Sequence, residues 1–417
     1  LSRFVYFLSR KNVFPHDVQD EHATEYLEAV AANEISKSPI TAYRTAVNGW
    51  NLAVKRVADW PRTHLTLPSN KKVYRLENGE LPSSFHADLA AILDRLANPD
   101  PFAEDGPTRA RRPATIKQYR TQMVRLASEL VHSGFAAEDI TEVAVLLDPA
   151  NAERGLRHML ARNGNKVNRL IRETAGLLRN FGKLTGQSDK VQEKLTKLAG
   201  KVALPPQRGM TPKNRERLRV LQDEGMMRRL LCLPEQLFAN PPRGKANAYS
   251  KALAREDAIA IGILLYCPIR VKNLANIHLE RHLQRPGDGR VFLVLTEEDT
   301  KTERPLEFEL PADLVRMIDA HLKTRCPEMC PKGTPWLFSR RDGKASMNEA
   351  QLSGRIRKRI RENLGAEMNA HLFRHFAVML LLDAQPGSYE VARRLLGHSE
   401  VSHTINMYSG LEMKTCL

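Results

Sequence analysis

HLFRHFAVMLL (residues 371–381) is the stretch on which the reading of this chain turns. Its apolar residues recur at helical spacing and begin just after Asn369-Ala370, which predicts a helix over about 370–383. His371 and Arg374 lie three apart, so they share a face near the helix N-terminus. Free backbone N–H groups point outward at that end and favour anions. An imidazole and a guanidinium placed there make a cradle for a phosphate. His375, four residues after His371, raises a metal alternative. The two-histidine metalloprotease helix needs Glu after the first histidine, however, and Leu372 stands there.

Upstream, EDAIAIGILLYCP (256–268) reads as an apolar helix ending at Pro268. RVFLVLT (290–296) and PLEFEL (305–310) flank EEDTKTER (297–304), and the alternation of Phe292 and Val294, and of Leu306, Phe308 and Leu310, reads as a hairpin. Further helices are expected at about 311–325, 348–363, 389–396 and 401–408. This part is therefore α+β, mostly helical with a small antiparallel sheet.

Before it, three polar, Pro-rich stretches (61–83, 97–113 and 202–218) punctuate a mostly helical pattern. TIKQYRTQMVRLASELVHSGF (115–135) puts Tyr119, Met123, Leu126 and Leu130 on one face, with Gly134 as a stop signal. Residues 1–60 and 115–187 share a plan: an opening helix, a break near an acidic cluster (HDVQDE, AAEDIT), then helices that end in a basic-apolar one. A duplicated DNA-clamping module and two unrelated helical bundles fit that pattern equally well. The expected class is mainly α, with helical N-terminal DNA-binding modules preceding an α+β catalytic domain. The expected boundaries are 1–66, 84–203 and 208–417.

The length of 417 residues allows two to four domains with real cores. Lys and Arg number 64 against 48 Asp and Glu, a net charge of +16, and such an excess points to a polyanion such as nucleic acid. No run of apolar residues is long enough for a membrane span. The opening LSRFVYFLSRKNVF lacks the uninterrupted apolar core and cleavage site of a signal peptide, and its initial Leu1 suggests a missing or processed N-terminus. Cys232, Cys267, Cys326, Cys330 and Cys416 are the scattered set that a reducing cytosol permits. His321, Cys326 and Cys330 in HLKTRCPEMC (321–330) are close enough to consider for zinc, but no fourth ligand is evident.

LLGHSEVSHTINMYSG (395–410) adds a Gly-His and then a tyrosine. H-x-x-R in HLFRH, followed by LLGH and the tyrosine of NMYSG, resembles the tyrosine recombinase (phage integrase) family. The resemblance implies two more parts upstream. CPIRVKNLANIHL (267–279) supplies Arg270 after the apolar helix, and DTKTER (299–304) supplies Lys301 at the hairpin tip. The implied catalytic set is Arg270, Lys301, His371, Arg374, His398 and Tyr408, with neither metal nor cofactor.

The chemistry of these residue types fits that implication. Two guanidiniums can hold the non-bridging oxygens of a phosphodiester through paired donors and never lose their charge. Tyr408 is the candidate nucleophile, and its hydroxyl needs help in losing a proton. His371 is the expected base, with His398 donating to the phosphate or orienting a neighbour. Lys301 would protonate the departing 5′ oxygen, with Arg304 or Lys272 as substitutes. A covalent tyrosyl ester would store the energy of the broken bond, so strands could rejoin without ATP.

The family implies a 3′-phosphotyrosine link. It also implies an integrase or transposase of a bacterial mobile element, acting in the cytoplasm at the nucleoid as a homotetramer on double-stranded recombination sites. A type IB topoisomerase, a telomere resolvase and a catalytically silent DNA-binding regulator are the alternatives. Three departures stand out. His398 to Tyr408 is one residue longer than the commonest spacing, Asn273 replaces a usual acidic residue, and Pro268 stands near a usual glycine.

Overall fold

A computed structural model describes residues 1–32, 38–67, 75–77, 79–100, 102, 109–205, 209–240 and 247–409. Gly410 and Cys416 lie outside these. The chain divides into two compact units, Leu1–Pro205 and Pro206–Leu417.

The first unit contains α1 (Ser2–Arg10), α2 (Asp20–Ala31), α3 (Pro39–Arg56), α4 (Ser83–Ala97), α5 (Pro113–His132), α6 (Val143–Leu147), α7 (Pro149–Arg162), α8 (Arg169–Leu184) and α9 (Asp189–Lys201). Phe4, Leu8, Val18, Val47 and Trp50 build one apolar core, while Phe85, Leu89, Met123, Leu126, Leu130, Leu178 and Phe181 build another. Of the expected face of α5, Met123, Leu126 and Leu130 are buried, and Tyr119 packs edge-on against Phe181.

The plan common to residues 1–60 and 115–187 extends to their turns. α1 runs into left-handed Asn12 (φ 56°) and α5 into left-handed Gly134 (φ 92°). The Val13 N–H then closes on the Leu8 carbonyl at 3.0 Å, and the Phe135 N–H on the Leu130 carbonyl at 3.3 Å. These are helix-ending bonds that a left-handed residue makes available. A single 3₁₀ turn follows in each, Pro15–Asp17 or Ala137–Asp139, and then a fully buried Val18 or Ile140.

The second unit begins with α10 (Pro212–Val220), α11 (Glu224–Ala239), α12 (Ala248–Tyr266), α13 (Val271–Ala275) and α14 (Leu279–His282). The strands are β1 (Leu283–Gln284), β2 (Phe292–Leu295) and β3 (Leu306–Glu309). The unit then runs through α15 (Ala312–Thr324), α16 (Glu349–Leu364), α17 (Leu372–Ala384), α18 (Tyr389–Leu396) and α19 (Val401–Tyr408). The overall class is as expected, mainly α with a small antiparallel sheet, of strand order β1-β2-β3.

α12 and α17 are apolar on nearly every face and run through the core, as such helices must. Each buried Ile or Leu on them contributes about 2 kcal/mol by leaving water. α12 starts earlier than its apolar stretch and stops at Tyr266 rather than at Pro268. Proline disfavours a helical conformation in the residue before it, and Cys267 is indeed extended (φ −121°, ψ 91°).

The hairpin forms where expected, but β2 buries Leu293 and Leu295, leaving Phe292 and Val294 half-exposed. The register explains this: Leu293 pairs with Phe308 and Leu295 with Leu306, whereas Phe292 and Val294 face Glu309 and Glu307. Residues directly opposite each other share a face of the sheet. β1, only two residues long, adds to the other side of β2 and was not expected.

α12 and α16 are joined by a buried charge cluster. Arg355 lies 2.7 Å from both Glu256 and Asp257, and Arg359 lies 2.8 Å from Asp257. Burial pushes the Glu256 carboxyl up to about 7 despite Arg355. Replacing Arg355 leaves these carboxylates without their main counter-charge, so Arg355→Met should lower stability by about 3–5 kcal/mol. Urea denaturation at neutral pH measures this, and an unchanged midpoint would show that the cluster is dispensable.

Candidate active site

The N-terminal end of α17, the N-cap of α13, the β2–β3 hairpin tip and α19 border a cavity of about 430 Å³. Arg270, Lys301, His371, Arg374, His398 and Tyr408 all line it, joined by Thr302, His375, Ser399, His403 and Met407. No acidic side chain is among those lining it in the described residues.

Each position has a local cause. The turn forced by Pro268 brings Arg270 to the N-cap of α13. Asn369 caps the start of α17 by accepting the Leu372 N–H at 3.0 Å, which leaves His371 at the N-cap and Arg374 in the first turn. α18 ends at left-handed Gly397 (φ 60°), and the His398 N–H closes on the Arg393 carbonyl at 3.0 Å. A Cβ on Gly397 would stand 3.3 Å from Leu306 of β3, so the turn has little room for any other residue. His398 Nδ1 is held 3.0 Å from the hydroxyl of buried Thr404 on α19. Tyr408 is the last residue of α19.

Arg374 is 3% exposed, and it donates from one terminal nitrogen to the Pro268 carbonyl (2.6 Å) and from the other to the Leu396 carbonyl (2.7 Å). Burial, and then the neighbouring Arg270, bring its pKa down to about 10, so it remains charged at neutral pH. Burial and the two arginines also hold His371 below its ordinary value. The same causes bring His398 to about 4, with His403 contributing.

His375 was weighed in the sequence only as a metal partner of His371. Its Nδ1 instead lies 2.9 Å from the Tyr408 hydroxyl, and its pKa falls to about 3 through burial, His371 and Arg374. The imidazole is thus neutral at neutral pH and can accept the phenol's proton in a hydrogen bond. Burial raises the Tyr408 hydroxyl above its usual pKa, an effect that the Arg374 charge partly offsets. The i, i+4 spacing from His371 was the one signal available, and it could not reveal a partner 33 residues away. His403, whose ring lies 5.0 Å from that of His398, was not foreseen either.

The substitutes considered for Lys301 do other things. Arg304 donates to the Ser399 carbonyl at 3.0 Å, and Lys272 is not among the side chains lining the cavity. Among the described residues no group of three or more His, Cys, Asp or Glu side chains is arranged to hold a metal ion. Cys326 and Cys330 are free thiols with sulfurs 3.7 Å apart. Among those residues, too, no helix is long and apolar enough to cross a membrane.

The sequence over residues 235–414 matches the phage integrase family. Residues 235–414 thus carry a phage integrase domain, the domain of the tyrosine recombinases. Among curated protein sequences none matches this chain. Similar solved structures include the XerH site-specific recombinase bound to difH substrate, 14% identical over 83% of this chain and 90% of that one, TM-score 0.49. The Tn1549 transposon integrase in complex with a circular intermediate DNA is 13% identical over 79% and 99%, TM-score 0.47. A lambda integrase dimer bound to a core site is 14% identical over 79% and 95%, TM-score 0.42. With identities this low, the functional reading of this phage integrase domain takes its support from the family match and the site.

Because the folded protein holds His375 near 3 and His398 near 4, below the ordinary 6.5, these groups favour folding when neutral. Their contribution is complete above about pH 6.5 and is lost as pH falls toward 4. The melting temperature should therefore fall as pH is lowered from 6.5 to 4, and His375→Gln should flatten that slope. An unaltered slope in the variant would count against the burial argument.

Proposed function

We propose that the protein is a site-specific DNA recombinase that cuts and rejoins strands through a 3′-phosphotyrosine intermediate. The observation that carries this reading is a phenol and two guanidiniums lining one cavity that offers several donors and no carboxylate among the described residues. Such a cavity favours an anion, and a phosphodiester is the anion on which a phenol can act. The chain's net charge of +16 suits a DNA partner.

In this reading Arg270 and Arg374 hold the non-bridging oxygens, with His371 and His398 beside them. The entering phosphate supplies negative charge that lifts the histidines from their depressed values. The Tyr408 oxygen attacks phosphorus while its proton passes to His375 Nδ1, the nearest imidazole acceptor. That moves the base role from His371 to His375. As the bond from phosphorus to the 5′ oxygen breaks, Lys301 delivers a proton to that oxygen. Rejoining runs the same steps backward with a 5′-hydroxyl from another strand. We further place the enzyme with a mobile element, acting as a tetramer on two duplexes, on the strength of its family.

Tyr408 sits in the cavity of its own chain, so cutting is expected in cis. A nicked suicide substrate with chelator present should trap covalent DNA on the wild type and none on Tyr408→Phe. Mixing Tyr408→Phe with Arg270→Ala should leave both inactive. An adduct on the Phe variant would overturn the nucleophile assignment, and activity restored by mixing would overturn cis delivery.

A further inference from the structure

Lys301 lies at the tip of the β2–β3 hairpin, where a long, exposed side chain would ordinarily wander. The tip is braced from inside. Asp299 accepts the Thr296 N–H (2.9 Å) and hydroxyl (2.8 Å), and buried Thr300 meets Arg304 twice, accepting its N–H at 3.0 Å and donating to its carbonyl at 2.8 Å. It is also tied from outside, across 95 residues of sequence. The Thr302 hydroxyl donates to the Gly397 carbonyl at 2.7 Å, and the Arg304 guanidinium donates to the Ser399 carbonyl at 3.0 Å. Leu306, at the foot of the same hairpin, packs against Gly397. The carbonyl between those two acceptors, that of His398, is taken by Arg393 at 3.0 Å. Three successive carbonyls of the turn that carries His398 are thus occupied, two of them by the hairpin tip.

The geometry points to Thr302 and Arg304 as positioning residues that dock the lysine-bearing tip on the Gly397–Ser399 turn and so aim Lys301 at the leaving oxygen. This deepens the recombinase reading and rests on Lys301 acting there as the acid. Thr302 and Arg304 act through Lys301. With both ties in place, the tip has few ways to move except as one body with the turn that leads into α19. A ~1 Å misplacement of a reacting group can cost about 10²-fold in rate.

The test compares two suicide substrates, one with the normal 5′ oxygen at the scissile phosphate and one with a bridging 5′ sulfur. Thiolate is a good leaving group and needs no proton from the protein. Thr302→Val and Arg304→Ala should slow adduct formation on the oxygen substrate by about 10²-fold, and both should cut the sulfur substrate at close to the wild-type rate. Thr302→Ser, which keeps the donor, should restore the oxygen rate. Equal slowing on both substrates would mean that the variants disturb the fold or the phosphate clamp, and an unchanged oxygen rate would mean that the ties are idle. Either result overturns the proposal. Lys301→Ala separates the two readings, since failure of sulfur to rescue it would remove the general-acid assignment itself and the positioning role with it. Loss of all activity in Tyr408→Phe on both substrates would leave the underlying recombinase reading standing.

Discussion

One buried guanidinium organises the C-terminal unit. A charge as enclosed as that of Arg374 must find acceptors, because an unpaired buried cation is too costly to keep. It finds the Pro268 carbonyl, just beyond α12, and the Leu396 carbonyl, at the end of α18. Those bonds pin the approach to Arg270 and the approach to His398 onto the first turn of α17. A lysine could not take this place, since an ammonium lacks the planar fork that reaches two carbonyls in fixed directions. The same guanidinium still faces the cavity, so a structural bond and a charge lining the site are combined in one side chain.

Electrostatics then follows from enclosure. Two arginines, four histidines and a lysine line one small space, and no carboxylate lining it answers them in the described residues. The imidazoles respond by staying neutral, held there by burial and by repulsion from the arginines. The phenol stays protonated because burial disfavours its anion more than Arg374 favours it. The positive charge of the site is thus carried by the arginines and the lysine, with the imidazoles and the phenol neutral around them. Tyr408 being 2% exposed fits the same account, because its hydroxyl is held by His375 rather than by water.

The scaffold serves this arrangement through two largely apolar helices, α17, whose first turn lines the cavity, and α12, which ends just before the Pro268 carbonyl that Arg374 holds. Packing on every face leaves them little freedom, so the groups at their ends inherit a rigid frame. In the other unit, the repeated sequence of helix, left-handed residue, 3₁₀ turn and buried aliphatic residue shows one local solution used twice, with Asn12 in one copy and Gly134 in the other.

Much of this was legible in the chain before folding, where the cause was local. Pro268 announces the end of α12, Gly397 the left-handed turn before His398, and the helical period of residues 371–381 the element that bears His371 and Arg374. The six residues singled out from motifs do share one cavity. Other features depended on which segments meet. Both faces of β2 are apolar, so its pattern could not say whether Phe292 or Leu293 points inward, and the pairing with Glu307 and Glu309 decided it. The partner of His375 is a tyrosine on another helix, and the acceptors of Thr302 and Arg304 lie 95 residues onward. Periodicity and turn chemistry act over a few residues, whereas hydrogen bonds between distant segments exist only once packing has brought them within about 3 Å. That is why the sequence could name six of the groups around the cavity, while the folded chain alone decided how they are held.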